Sequence, residues 1–236
     1  MEENLEKSKK LALIGEMAAG LAHEMRNPLA AITGSIELLK QGLNLNGTDK
    51  RLMQIILRGK NQLESFVRDF LLLARPIPTS RESVDLNEVV EEVLENIKLT
   101  DDWTSAIKIV KVFSGKAKSL ANREEVRQII HNLVINAVQA MKEGGILSIE
   151  IKNQKLNDQE DYVEIKVKDN GCGIEEKNLK NIFEPFITNK EKGTGLGLAI
   201  VSRFVDGYKG RIKVESIINE GTTFIVWLPE KKDDNT

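Results

Sequence analysis

Two prolines one residue apart, Pro76 and Pro78, most constrain how this chain folds. They sit in the run Arg75-Pro-Ile-Pro-Thr-Ser-Arg81, where no helix can continue, because each proline lacks a backbone N–H and crowds the preceding turn. Before the run every segment reads as helix. After it, helical and strand-like segments alternate.

Upstream, Ile14, Met17, Leu21, Ile32, Ile36 and Leu39 recur at spacings of three and four, which stripes one helical face. The run Gln41–Thr48 supplies turn residues, and Thr48 is placed to cap a second helix striped by Leu52, Ile55, Ile56, Leu63, Phe66, Phe70 and Leu73. Two helices alone cannot bury both stripes, so the pattern predicts a partner hairpin and a dimeric four-helix bundle. The alternative is packing of the hairpin against the downstream domain.

Downstream, helices are expected over 86–99, 124–141 and 196–204. Strands are expected over 107–113, 146–151, 162–168, 211–215 and 223–228, the last two joined around Asn219-Glu220-Gly221. With antiparallel-type connections, this mixture predicts an α+β two-layer sandwich, one helical layer on one sheet. The expected division is a helical hairpin over 1–76, a linker over 77–83 and an α+β domain over 84–236.

The charge balance of 34 basic against 36 acidic residues argues against a nucleic-acid footprint. One cysteine excludes an internal disulfide, and two histidines are too few for a histidine-rich metal site. No run approaches the ~18 apolar residues of a spanning helix. The segment is therefore expected to be cytoplasmic without membrane contact, and a sensing or membrane segment upstream of Met1 stays an open question.

Four short patterns could carry chemistry. In Leu21-Ala-His23-Glu24-Met-Arg26-Asn27-Pro28-Leu29, His23 should point away from the bundle seam. A neutral imidazole is nucleophilic near neutral pH, and Glu24 could orient it or take its proton. The alternative is a surface histidine with no role. Asn132 and Asn136 are four apart and share a helix face, and amide oxygens are hard ligands suited to magnesium, although a pair of ordinary polar residues would look the same. Asp169-Asn-Gly171-Cys172-Gly173-Ile174 follows a strand. Its glycines allow close backbone approach to a flat ligand, and Asp169 could accept a hydrogen bond from an exocyclic amine such as adenine's. Lys192-Gly193-Thr194-Gly195-Leu196-Gly197 opens a helix whose free N–H groups favour phosphate. Just upstream, Phe183–Lys192 has the composition of a lid, with Lys190 or Lys192 reaching phosphates. A solvated loop is the plainer reading. Cys172 and His131 receive no role.

Taken in order, these residues resemble the bacterial sensor histidine kinases over nearly the whole chain. His23-Glu24-Met-Arg-Asn27-Pro28-Leu is similar to the H box, 132–140 to the N box, and 169–174 to the first glycine box. Phe183-Glu-Pro-Phe186 resembles the F box, 193–197 the second glycine box, and Gly221-Thr-Thr-Phe224 the closing strand. The short lid looks closest to kinases of the nitrogen-regulator type.

The resemblance implies a dimerisation and phosphotransfer hairpin followed by an ATP-binding domain of the gyrase, chaperone and kinase type. By position it implies His23 as phospho-acceptor and Glu24 as its acid–base partner. It makes Asn136 the Mg²⁺ ligand, with Asn132 nearby, and Asp169 the reader of adenine. Gly171 and Gly173 then shape the wall, and the 193–197 loop approaches the phosphates of ATP. A response regulator's aspartate would receive the phosphoryl group, and Asn27 would orient water in a phosphatase reaction toward that regulator. Two rivals remain at this stage. One is a conformational ATPase without phosphoprotein, and the other is a dimeric interaction module without nucleotide. In two places the chain departs from the pattern: Asn122 stands where an acidic residue is common, and Gly207-Tyr-Lys-Gly210 replaces a frequent His-Gly-Gly turn.

Overall fold

The computed structural model describes residues 30–36, 38–39, 47–74, 80–100, 102–157, 160–188, 190 and 193–231. The expectations for Ile14, Met17, Leu21, His23, Glu24, Asn27, Lys192, most of the Gln41–Thr48 turn and the proline run lie outside them. The chain divides into two compact units. One holds the described residues up to 74 together with Phe186–Leu196, and the other holds Ile77–Pro185 and Gly197–Thr236.

In the first unit, residues 30–36 and 38–39 are helical and α1 spans Gly47–Ala74. At 1.5 Å per residue α1 is about 42 Å long. Thr48, offered by the sequence as a cap, is already helical. Ile36, Met53, Val67 and Leu73 are buried, but Ile32, Leu39, Leu52, Ile55, Ile56 and Leu63 are 39–56% exposed. Isolated exposed apolar residues are ordinary, whereas a stripe of them along helices is a face that needs a cover.

Within the same unit, Thr194 Oγ1 donates to Asp69 Oδ2 at 3.5 Å. Burial pushes the Asp69 carboxyl up to about 6, against smaller opposing effects of the Arg68 charge and the Thr194 hydrogen bond. Well below pH 3.8 the carboxyl is protonated whether folded or unfolded, and its burial then carries no charge penalty. As pH rises from the unfolded value of 3.8 to about 6, the unfolded chain ionises first and the native state loses ground. Asp69→Asn should therefore stabilise the chain by about 1–3 kcal/mol at pH 7.5 and by about 0.5 kcal/mol or less at pH 4. Urea unfolding at the two pH values checks this, and an effect that does not vary with pH contradicts it.

The second unit holds β1 (Glu82–Asp85), α2 (Leu86–Ile97), β2 (Ile107–Ser114), β3 (Lys118–Ala121) and α3 (Arg123–Ala140), followed by β4 (Gly145–Asn157) and β5 (Glu160–Lys168). Then come the short α4 (Glu176–Leu179), α5 (Gly197–Gly207), β6 (Arg211–Ile217) and β7 (Gly221–Pro229). Asp85 caps α2, its Oδ1 accepting from Asn87 N at 3.0 Å. Asn122 caps α3 in the same way through Glu124 N, so an amide does here what an acid commonly does.

Five strands form one sheet in the order β2-β4-β5-β7-β6. Their inward residues Leu147, Ile149, Ile151, Val163, Ile165, Val167, Val226 and Leu228 are buried at period two. The other face pairs Lys152 with Glu164 at 3.2 Å and Glu150 with Lys166 at 3.6 Å. This is the α+β sandwich the sequence predicts, with two differences. First, β2 and β4 run parallel, because the connection between them carries β3 and the crossover helix α3. Second, β1 and β3 form a separate antiparallel pair that no sequence pattern announced. Among the described residues, no helix is long and apolar enough to cross a membrane.

Candidate nucleotide site

The site in the second unit grows from α3. Val126, Ile129, Ile130, Leu133, Val134 and Ala137 bury one side of this helix, which leaves the Asn132 and Asn136 face to do something else. Asn132 is buried. Its Nδ2 donates to the Gly197 carbonyl at 3.0 Å, and its Oδ1 accepts from Gln128 Nε2 at 3.2 Å. Asn132 thereby fixes the first residue of α5, and Asn136, half-buried, lies one turn further on.

The segment Asp169–Ile174 packs against the end of the same helix. Cys172 N donates to the Ala140 carbonyl at 3.2 Å, and a Cβ on Gly171 would stand 2.5 Å from that carbonyl oxygen, so only glycine fits there. Asp169 is buried, and its Oδ1 accepts from Gly171 N at 2.9 Å and Thr222 N at 3.2 Å. A buried carboxylate held by two backbone donors is oriented before any ligand arrives. Gly173 lies beside the Ile217 backbone with φ of 71°. Gly197 is thus held at Asn132, near the middle of α3, and the Asp169–Cys172 turn at Ala140, its last residue, with Asn136 between the two along the helix.

Two contributors escaped the sequence reading. Gln128 stands one turn before Asn132, a spacing that could have flagged it. Thr222 belongs to the Gly221–Phe224 motif, but its contact with Asp169 is made across a sheet end.

The glycine-rich segment belongs to the first unit. Phe186 N donates to the Gly195 carbonyl at 2.9 Å, closing the base of a loop. Gly195 has φ of 68°, and a Cβ there would stand 2.6 Å from Phe186 C, so this turn requires glycine. Phe186 itself holds φ of 68° while half exposed, an uncommon conformation for a bulky residue and one that clusters at functional loops. Within the loop, Gly193 N donates to the Lys190 carbonyl, Thr194 Oγ1 accepts from Leu196 N, and Lys190 is exposed. Cys172 is exposed and still without a role.

Among the described residues, no group of three His, Cys, Asp or Glu side chains could hold a metal ion. Asn132 and Asn136 are amides, and an amide with phosphate oxygens and water is a donor set that suits Mg²⁺ arriving with a nucleotide. The residues fit such an ion.

Two family descriptions match. "His Kinase A (phospho-acceptor) domain" covers residues 13–78, and "Histidine kinase-, DNA gyrase B-, and HSP90-like ATPase" covers residues 121–232. The signal transduction histidine-protein kinase AtoS of Escherichia coli (strain K12) is 33% identical over 99% of this chain and 38% of its own length. Full-length ShkA, solved in complex with AMPPNP, matches with TM-score 0.77 and 28% identity over 93% of this chain and 46% of that one. Histidine kinase ThkA, solved in complex with the response regulator protein TrrA, matches with TM-score 0.64 and 29% identity over 98% of this chain and 66% of that one. A phospho-acceptor domain joined to an ATPase sandwich defines the catalytic core of a two-component kinase. The chain belongs to the histidine kinase family. It spans 31% of the length of sporulation kinase E and 51% of that of sporulation kinase C, both of Bacillus subtilis (strain 168).

Proposed function

We propose that the chain binds ATP in its α+β domain and transfers the γ-phosphoryl group to His23. One observation carries the reading: a single chain holds a phospho-acceptor match that spans His23 and an ATPase match that spans Asn132, Asn136, Asp169 and the 193–197 loop. A conformational ATPase has no use for the first, and an interaction module has none for the second.

In this reading residues 1–76 are the hairpin, 77–83 the linker and 84–236 the ATP-binding domain. The hairpin pairs with that of a second copy, and the exposed stripe from Ile32 to Leu63 supports this. Asp169 reads the adenine amine, and Gly171 and Gly173 wall the base. Lys190, Lys192 and the Gly193–Gly197 backbone meet the phosphates. Asn136, with Asn132 beside it, is the protein ligand for a magnesium ion that screens the phosphate charge.

His23 attacks the γ-phosphorus in line. A P–N bond forms while the bond to the β,γ-bridging oxygen breaks, ADP departs, and Glu24 accepts the imidazole proton. The phosphoryl group then passes to an aspartate of a response regulator, a partner supported by the ThkA complex. Asn27 orients water when the regulator is dephosphorylated instead. The segment works in the cytoplasm, whatever anchors the whole protein. Incubated with γ-labelled ATP and Mg²⁺, the chain should take up label, and EDTA should prevent it. Full labelling in EDTA removes the magnesium role, and no labelling in either condition removes the kinase role.

A further inference from the structure

Within the second unit, the turn at 169–174 is packed against the end of the β6–β7 hairpin. Asp169 N donates to the Thr222 carbonyl and Asn219 N to that of Cys172, both at 2.9 Å. Backbone approaches backbone so closely that a Cβ on Gly221 would meet the Asp169 carbonyl, and one on Gly173 that of Ile217. A side-chain hydroxyl sits inside this contact. The Oγ of half-buried Ser216 lies 2.8 Å from Ile174 N, 3.0 Å from the Gly221 carbonyl oxygen and 2.9 Å from Thr222 Oγ1.

A hydroxyl has one hydrogen to donate and two lone pairs with which to accept. Ile174 N–H can only donate to Ser216. The Gly221 carbonyl can only accept, so it takes the Ser216 hydrogen. The third contact is then made in one sense, with Thr222 donating to Ser216, which is the allocation that satisfies all three bonds at once. Its one hydrogen spent, the Thr222 hydroxyl turns only lone pairs to anything else. Thr222 is buried, and its own N–H braces the Asp169 carboxylate at 3.2 Å. Carboxylate and hydroxyl thus stand on bonded partners, and both are acceptors. Two acceptors suit an amine. Against a carbonyl they set lone pair against lone pair, a mismatch that is costly where water is excluded.

We propose that Ser216 is a positioning residue for base selection: by taking the Thr222 hydrogen it keeps this end of the site acceptor-only, so that a purine with an amine at position 6 is held and one with a carbonyl there is refused. This rests on the reading of the second unit as an ATP site, while the order of the hydrogen bonds stands on geometry.

ADP carries the amine, and IDP carries a carbonyl in its place with a hydrogen on the adjoining ring nitrogen. Calorimetric titration of the full chain gives the affinity for each. The parent should bind ADP at least about tenfold tighter than IDP. Ser216→Ala frees the Thr222 hydrogen to turn toward a carbonyl, so this preference should fall at least about fivefold. Ser216→Thr, which keeps a hydroxyl on a residue that strands favour, should hold the preference within about twofold of the parent. Thr222→Val removes the hydroxyl at nearly constant shape and should itself lower the preference. In that background Ser216→Ala should change it by less than about twofold more.

A smaller fall than fivefold in Ser216→Ala overturns the proposal. So do ADP and IDP affinities that drop by one common factor, because the hydroxyl is then merely structural. Loss of the preference in Ser216→Thr, or a full Ser216→Ala effect in the Thr222→Val background, overturns it as well. Where Ser216→Ala is too unstable to titrate, Thr222→Val decides, and an unchanged preference there is the contrary result. A parent that binds neither nucleotide sinks the ATP-site reading first, and the proposal with it, before any variant is compared.

Discussion

Replacing His23 with glutamine abolishes phosphate incorporation, a loss of at least about a thousandfold, while nucleotide affinity stays within about twofold of the parent. The amide nitrogen of glutamine has its lone pair tied up in resonance and cannot act as a nucleophile, so no P–N bond forms and the loss is total instead of partial. The contacts described for Asn132, Asp169 and Gly171 run to Gly197, Gln128, Thr222 and Ala140, all within the second unit. Binding and chemistry therefore separate in this variant. Labelled ATP measures one, and titration calorimetry with an ATP analogue measures the other. Label persisting on His23→Gln places the acceptor elsewhere.

The second large effect is the reverse. Asp169→Asn should weaken nucleotide binding about a hundredfold, equivalent to about 2.7 kcal/mol. Asparagine keeps an oxygen to accept from Gly171 N and Thr222 N, so these two braces of the turn should survive. What changes is that a carboxylate oxygen becomes an NH₂ group. Facing a ligand's amine, it sets donor against donor in a buried place where neither finds water. Asp169→Ala would confuse this by cutting the brace as well. Equal affinity in parent and Asp169→Asn refutes the adenine-reading role.

What the sequence made legible follows from how local each signal is. The α3 cap at Asn122 and the Asn132–Asn136 face depend on residues a turn apart, and both stand in the structure as expected. The glycines at 171 and 195 declared turns that do require them. By contrast, β1 and β3 are four residues each, too short for an alternation to show, and they exist because they pair with each other. The parallel β2–β4 register depends on a crossover, not on either strand's composition. The departure at Tyr208 looked idle in sequence, because its partners Arg81, Asn122 and Glu125 lie far along the chain.

Everything turns on whether phosphate ends on an imidazole nitrogen. The direct measurement is to label the chain with γ-labelled ATP and then expose equal portions to acid and to alkali. A phosphoramidate bond hydrolyses once its nitrogen is protonated, so label that disappears in acid and endures in alkali is the predicted result. Label that withstands acid and is stripped by alkali marks a hydroxyl ester and contradicts histidine phosphorylation.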